Sequence, residues 1–441
     1  MFGQYFSGDL SSVPPGTLSN HKKSRVGCQR CRARKVKCNE AKPMCGACSR
    51  RGLSCVYDRL VGHNQGTGPR GNPSPTQQVA SIITSMEVNL EGLNKDVVNL
   101  PETAQRRKLE MALMHHWRET AAVSMSLDDT SVHIFRNEAC RLALVSDGLL
   151  YMVLAMSALH LHTAGAEGMR NLITRLGFTI GNIYHRYFLM SLREQLNDTL
   201  HMNSHDLDAM VVTSMILRNY VFASLQRRSL DSPYQAPAEW LRTSRSTASV
   251  YEERIRTSRQ GNFNEESIVT AHLVAHGRSI QRQLDSPQRD MQSRLSPILE
   301  HLLDDIEAED DEWNNSGCVS TETATVLRDT YVATLRYLDK ALRMQEGEEP
   351  PSQNLRMMIL FPVYADVAFV DLAYDGRPRA LVILAHYFAL ISLYSHVWWI
   401  GESGKREVLA IASELQDTPW RIKLQWPLRI VETNQLKCGY K

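Results

Sequence analysis

The sequence predicts a bipartite chain, a small cysteine-organised module followed by a large all-α domain. Three observations predict it. Six cysteines crowd into residues 28–55, a Gly/Pro-rich stretch follows them, and beyond it apolar residues recur at helical spacing with few strand patterns. At 441 residues the chain exceeds one ordinary domain, so a small unit beside a large one is the natural division.

Residues 1–21 are polar and rich in Pro, Gly and Ser, which predicts disorder, and they lack the apolar run of a secretion signal. The module spans 22–60. Residues 61–79 form a linker, since GHNQGTGPRGNPSPTQQ carries four glycines and three prolines and almost nothing apolar to pack. In 80–100, Ile83, Met86, Leu90, Leu93, Val97 and Leu100 follow the 3-4 spacing of a coiled-coil seam before Pro101. That segment reads either as a short homodimerisation helix or as an amphipathic helix packed on the domain that follows. From 101 to 441 the expectation is all-α, with helices such as 102–126, 147–164, 166–197, 205–228, 263–284, 320–345 and 379–400. On the first, Leu109, Leu113 and Trp117 form the apolar stripe and Arg106, Arg107 and Glu110 the exposed side. Breaks are expected at the Ser/Arg-rich 228–246 and at the acidic 304–317 around Trp313, which reads as a solvated loop or an acidic activation segment.

The cysteines fall as Cys28-x2-Cys31-x6-Cys38-x6-Cys45-x2-Cys48-x6-Cys55. Each CxxC pair sets two sulfurs on one face of a helical turn, so both can bind one ion. Six thiolates satisfy two four-coordinate zinc ions if two of them bridge. A single four-cysteine site with two spare thiols, or a disulfide scaffold, are the alternatives. Cys140, Cys318 and Cys438 lie far apart and read as buried free thiols.

Residues 1–60 hold twelve Lys/Arg against three Asp/Glu, a charge of +9, whereas the whole chain is only +2 and the remainder therefore −7. With two Zn²⁺ and six thiolates counted, about +7 survives, so the module should attract polyanions. Double-stranded DNA is the expected partner. Arg32, Arg34, Lys35 and Lys37 follow the first CxxC directly and are candidates for the major groove, where Arg and Lys meet guanine O6 and N7. Lys22, Lys23, Arg25, Arg30, Arg50 and Arg51 are candidates for phosphate contact. The basic run from Lys22 also suits import into the nucleus.

The segment CQRCRARKVKCNEAKPMCGACSRRGLSC closely resembles the fungal binuclear zinc-cluster (Zn(2)-C6) DNA-binding domain of transcription factors, in its cysteine spacing, its Arg-x-Arg-Lys-x-Lys run and its Lys-Pro-x-Cys turn. The resemblance implies two short helices around two structural zinc ions. It also implies that Cys28 and Cys45 bridge them, with Cys31 and Cys38 completing one site and Cys48 and Cys55 the other, and that Arg34 and Lys35 read base edges. No coordination position would stay open for catalysis.

A second, looser resemblance covers most of 105–428. LEMALMHHW (109–117), LLYMVLAMSALHLH (149–162), GRPRALVILAHYFALI (376–391), WWIGESGKREVLAIASEL (398–415) and QWP (425–427) are similar to the regulatory domain of fungal sterol-uptake-control regulators and their relatives in secondary-metabolite gene clusters. The resemblance implies a hydrophobic ligand pocket, with Met152, Met156, His386, Tyr387 and Trp399 as its candidate lining; ordinary core packing is the competing reading. After Trp398-Trp399 the chain reads Ile400-Gly401-Glu402-Ser403-Gly404 where those regulators carry a Gly-Trp-Gly-like turn.

Residues 148–166 and 380–401 contain no Asp, Glu, Lys or Arg, and the second is long enough to span a bilayer, but interspersed His, Ser and Tyr favour buried core helices over membrane insertion. His115 and His116 point about 100° apart on a helix and do not form a joint metal site; His201 and His205 lack an evident third ligand. No Gly-rich phosphate loop, HExxH or GxSxG supports an enzyme. The sequence therefore predicts a pathway-specific transcription factor, an activator of a biosynthetic gene cluster. A sterol-responsive regulator is the alternative, a localised helical enzyme is more remote, and a zinc-dependent scaffold that does not bind DNA stands as a third class.

Overall fold

The computed structural model describes residues 102–165, 167–200, 207–260, 267–285, 295–304, 321–347 and 350–436. No β-strand occurs among the described residues, as expected of the large all-α domain. Helix α1 (Ala104–His116) begins at an N-cap threonine, whose Thr103 Oγ1 accepts from the Arg106 amide at 3.0 Å. Its apolar stripe is as predicted: Leu109, Leu113 and Trp117 are wholly buried. Arg106, expected on the exposed side, is buried instead. Its guanidinium reaches Glu102 and Glu110 at 2.7 Å each, and Tyr187 Oη donates to the same Glu110 at 3.1 Å, so the charge is paired where it leaves water.

The chain widens into a π turn at Trp117–Ala121, and a second one, Ile134–Glu138, follows the short helix α2 (Asp129–His133). Trp117 Nε1 donates to the Phe135 carbonyl at 2.7 Å, joining the two irregular turns. Helix α3 (Asp147–Thr163) is apolar nearly all round and lies in the core, packed mainly on α5 (Ile180–Leu200), with α6 (Leu207–Ser224) and α1 against its other faces.

The single helix expected over 166–197 is two: α4 (Glu167–Arg175) stops before α5. Gly177 takes φ +86°, and the Phe178 and Gly177 amides donate back to the Ile173 and Thr174 carbonyls at 3.3 and 2.9 Å. This is the glycine-terminated helix end that an L side chain resists.

The break expected over 228–246 covers too much. Helix α7 (Ala238–Gln260) runs through its second half, with Trp240 and Leu241 buried. Two of its buried hydroxyls are satisfied inside the helix, Ser246 donating to the Thr243 carbonyl at 2.7 Å and Thr247 to the Ser244 carbonyl at 2.6 Å, so polarity did not end the helix. The irregular part, from 228, is anchored. Arg228 meets the fully buried Glu407 at 2.5 and 2.7 Å, and the Tyr234 hydroxyl donates to that carboxylate at 2.7 Å.

Helices α8 (Ile268–Asp285), α9 (Thr321–Glu346), α10 (Pro351–Tyr364) and α11 (Val367–Tyr374) lead to α12 (Pro378–Ser392), whose every residue from Arg379 on is buried. Around it pack α13 (Ser403–Glu414) and α14 (Gln425–Thr433). The helix predicted to reach residue 400 ends at Ser392 and gives way to turns. Fifteen residues span roughly 22 Å, short of the ~30 Å hydrocarbon core. No single helix among the described residues is long and apolar enough to cross a membrane.

Candidate functional site

The metal-ligand candidates Cys28, Cys31, Cys38, Cys45, Cys48 and Cys55 lie outside the described residues, as do all ten basic candidates for DNA contact. So do the 80–100 segment, His201, His205, Trp313, Cys318 and Cys438. Donor chemistry bears on the metal nonetheless: six thiolates set so closely suit zinc. Cys140, which is described, is a half-buried free thiol 3.6 Å from Met114 Sδ, and burial pushes its pKa up, so it is not a reactive thiolate.

The five residues expected to line a hydrophobic pocket are core. Met152, Met156, His386, Tyr387 and Trp399 are at most 1% exposed. His386 donates from Nδ1 to the Val382 carbonyl at 2.8 Å and stacks on Trp426; Tyr387 stacks on Phe361 with centroids 4.5 Å apart; Trp399 meets Phe222 edge-on. Helical spacing placed Met152, Met156, His386 and Tyr387 on buried faces, and Trp399 is buried from the turns after α12, but all five meet other side chains rather than a void.

A cavity of about 360 Å³ does exist, elsewhere. The α1–α2 connection contributes Met125 and Leu127, and the π turn after α2 contributes Phe135; α6 contributes Met215, Arg218 and Asn219; α7 contributes Ala248, Tyr251 and Glu252. His272 and His276 of α8 and Arg356, Leu360 and Val363 of α10 complete the wall. No periodicity in the sequence marks this site, because its walls come from segments more than 200 positions apart.

At one part of the wall Asp128, His272 and His276 bring potential metal-ligand atoms within 4.8 Å of one another. Their partners argue against a cation. Asp128 caps α2 by accepting from the Ser131 amide at 2.7 Å, and its other oxygen is bound to the Arg356 guanidinium. Burial pushes the Asp128 carboxyl up, but the Ser131 bonds and Arg356 outweigh it and hold the group ionised. His276 Nε2 and His272 Nδ1 share a hydrogen bond at 3.0 Å, and burial, with Arg356 beside them, brings both imidazoles down to about 4. The cluster is an arginine–carboxylate pair flanked by neutral histidines.

A second histidine pair lies in the core. His116 Nε2 and His160 Nδ1 are 2.8 Å apart, burial lowers each to about 4, and Trp398 stands edge-on to His160. His115 next door is exposed, as the 100° rotation requires.

A cysteine-bound metal cluster in a basic segment, joined to an all-α domain, defines a DNA-binding transcription regulator. Residues 26–63 match the fungal Zn(2)-Cys(6) binuclear cluster domain, which binds two zinc ions. The similarity extends well beyond the cluster. The Zn(2)-C6 fungal-type transcription factor afumD of Aspergillus fumigatus is 27% identical over 83% of this chain and 85% of its own length. A Zn(2)-C6 fungal-type transcription factor of Gibberella zeae is 23% identical over 95% and 87%. The sorbicillinoid biosynthetic cluster transcription factor sor3 of Hypocrea jecorina is 32% identical over 25% of this chain and 18% of its own. Sterol uptake control protein 2 of Candida albicans, by contrast, matches over 48 residues, 11% of this chain, so it lends no support to a sterol-type reading of the helical domain.

Proposed function

We propose that this chain is a nuclear, pathway-specific activator of a fungal secondary-metabolite biosynthetic gene cluster. The observation that carries the regulon is the similarity to sor3, a biosynthetic cluster factor, over 116 residues, a stretch longer than the cluster domain itself. In this reading residues 22–60 hold double-stranded DNA, 61–79 tether them, and the helical domain from 101 regulates them. Cys28 and Cys45 bridge the two zinc ions, Cys31 and Cys38 close one site, and Cys48 and Cys55 close the other. Arg32, Arg34, Lys35 and Lys37 enter the major groove, with Arg34 and Lys35 on base edges, while Lys22, Lys23, Arg25, Arg30, Arg50 and Arg51 neutralise phosphates. Zinc supplies structure, and no catalytic role is assigned to the chain.

The test compares transcriptomes of the host with wild-type protein, with none, and with Cys28→Ala. A contiguous set of synthase and tailoring genes should rise with the wild type and fall silent in both other strains. Changes dispersed over sterol or general lipid genes would overturn the reading.

A further inference from the structure

The cavity holds polar groups that the protein leaves incomplete. Asn219 is buried, yet its Oδ1 has no hydrogen-bond partner among the described residues. The Tyr251 hydroxyl is likewise unpartnered, and Arg218 buries both Nε and Nη1 without an acceptor. All three line the same void. Leaving such a group unsatisfied costs about 1–3 kcal/mol, more when it is charged, and a guanidinium cannot shed its proton to escape.

The neighbouring charges do not answer Arg218. Arg356 is already taken by Asp128, His272 and His276 are neutral near pH 7, and Glu252 is exposed and makes no ion pair with it. The positive field of Arg218 reaches the hydroxyls of Tyr337 and Tyr387, both deep in the core, which places the guanidinium toward the interior. The rest of the wall is largely apolar, with Met125, Leu127, Phe135, Met215, Leu360 and Val363. At about 30 Å³ per water the space equals on the order of a dozen waters, the scale of a small organic molecule.

We infer that this cavity binds an amphipathic acid, one carboxylate on an apolar carbon skeleton. The carboxylate accepts from Arg218 and the Tyr251 hydroxyl, and the skeleton lies along the methionines and Phe135. A ligand that also carries a hydroxyl satisfies Asn219 Oδ1. The inference goes beyond DNA binding and does not depend on it, because its test contains no DNA.

Decanoic acid and 1-decanol, equal in chain length and different in charge, are titrated calorimetrically into the full-length, zinc-loaded protein at pH 7.5. The acid should saturate at one per chain and bind more tightly than the alcohol. Arg218→Met should weaken the acid by about tenfold or more, the loss of one charge-assisted contact, and leave the alcohol nearly unchanged; Arg218→Lys should retain part of the acid's affinity. Thermal melts verify that the variants fold, and if Arg218→Met does not, the wild-type comparison and Arg218→Lys decide. Equal binding of acid and alcohol to the wild type, non-saturable uptake of the acid, or undiminished acid binding by a folded Arg218→Met protein would overturn the assignment.

Discussion

Lys35 follows Arg34 four residues past the first CxxC, and in the proposed arrangement both reach base edges while Lys22, Lys23, Arg25, Arg30, Arg50 and Arg51 meet phosphate. The two kinds of contact separate experimentally. Lys35→Ala should lose about 1–3 kcal/mol at one base position and relax preference there. Arg51→Ala should weaken binding on all sequences and lower the salt slope by about one. Site selection on randomised duplexes and salt titrations measure the two, and unchanged preference in Lys35→Ala removes that residue from the reading set. Inside the helical domain, single residues carry a different lesson. Arg106 and Arg218 both stand on helices as basic side chains, but Glu102 and Glu110 complete the first, and the described protein groups do not complete the second.

Among the elements, the segment from 228 to α7 depends on one buried carboxylate. Glu407 has no exposed surface and receives Arg228 and Tyr234 together, so removing it strands a cation and a phenol. Glu407→Ala should cost about 3 kcal/mol or more, read as a lowered denaturant midpoint at unchanged slope. Two glycines predict opposite signs in the same assay. Gly177 holds a left-handed φ at the end of α4, and Gly177→Ala should destabilise by about 1–2 kcal/mol. Gly277 sits within α8 with no heavy atom within 4 Å of a Cβ, so Gly277→Ala should stabilise by up to about 1 kcal/mol. Loss of stability at Gly277 would mean that α8 bends there in a way only glycine permits.

Over the whole molecule, acid should act through the histidines. His116, His160, His272 and His276 have pKa values near 4, below the ordinary 6.5, with burial as the main cause in each. A depressed folded-state value means that the unfolded chain binds more protons in the interval between. Their contribution is therefore fully present above about pH 6.5 and is lost as pH falls through 4. Melting temperature should be flat from pH 7 to 8 and drop steeply between about 6 and 4; a curve unchanged down to pH 4.5 contradicts the buried-neutral assignment. Metal should divide the molecule differently. Zinc analysis of the full chain should give two ions, not three, since Arg356 occupies the carboxylate beside His272 and His276. Chelation should abolish DNA binding and leave the far-UV helical signal largely in place, because the described helices rest on apolar packing rather than on a metal.

The cysteine spacing, the +9 charge of residues 1–60 and the stripe of Leu109, Leu113 and Trp117 were determined by the sequence alone, because ligand type, charge and helical period are local properties that need no knowledge of distant partners. So were the all-α class and the burial of Met152, Tyr387 and Trp399. Tertiary structure decided what those buried faces meet. It turned Arg106 inward onto two glutamates, carried α7 through a serine-rich stretch, ended α12 at Ser392, and placed the cavity away from the residues expected to line it. Its walls run from Met125 to Tyr364, and a void among five segments so far apart exists only through the packing of the helices that carry them.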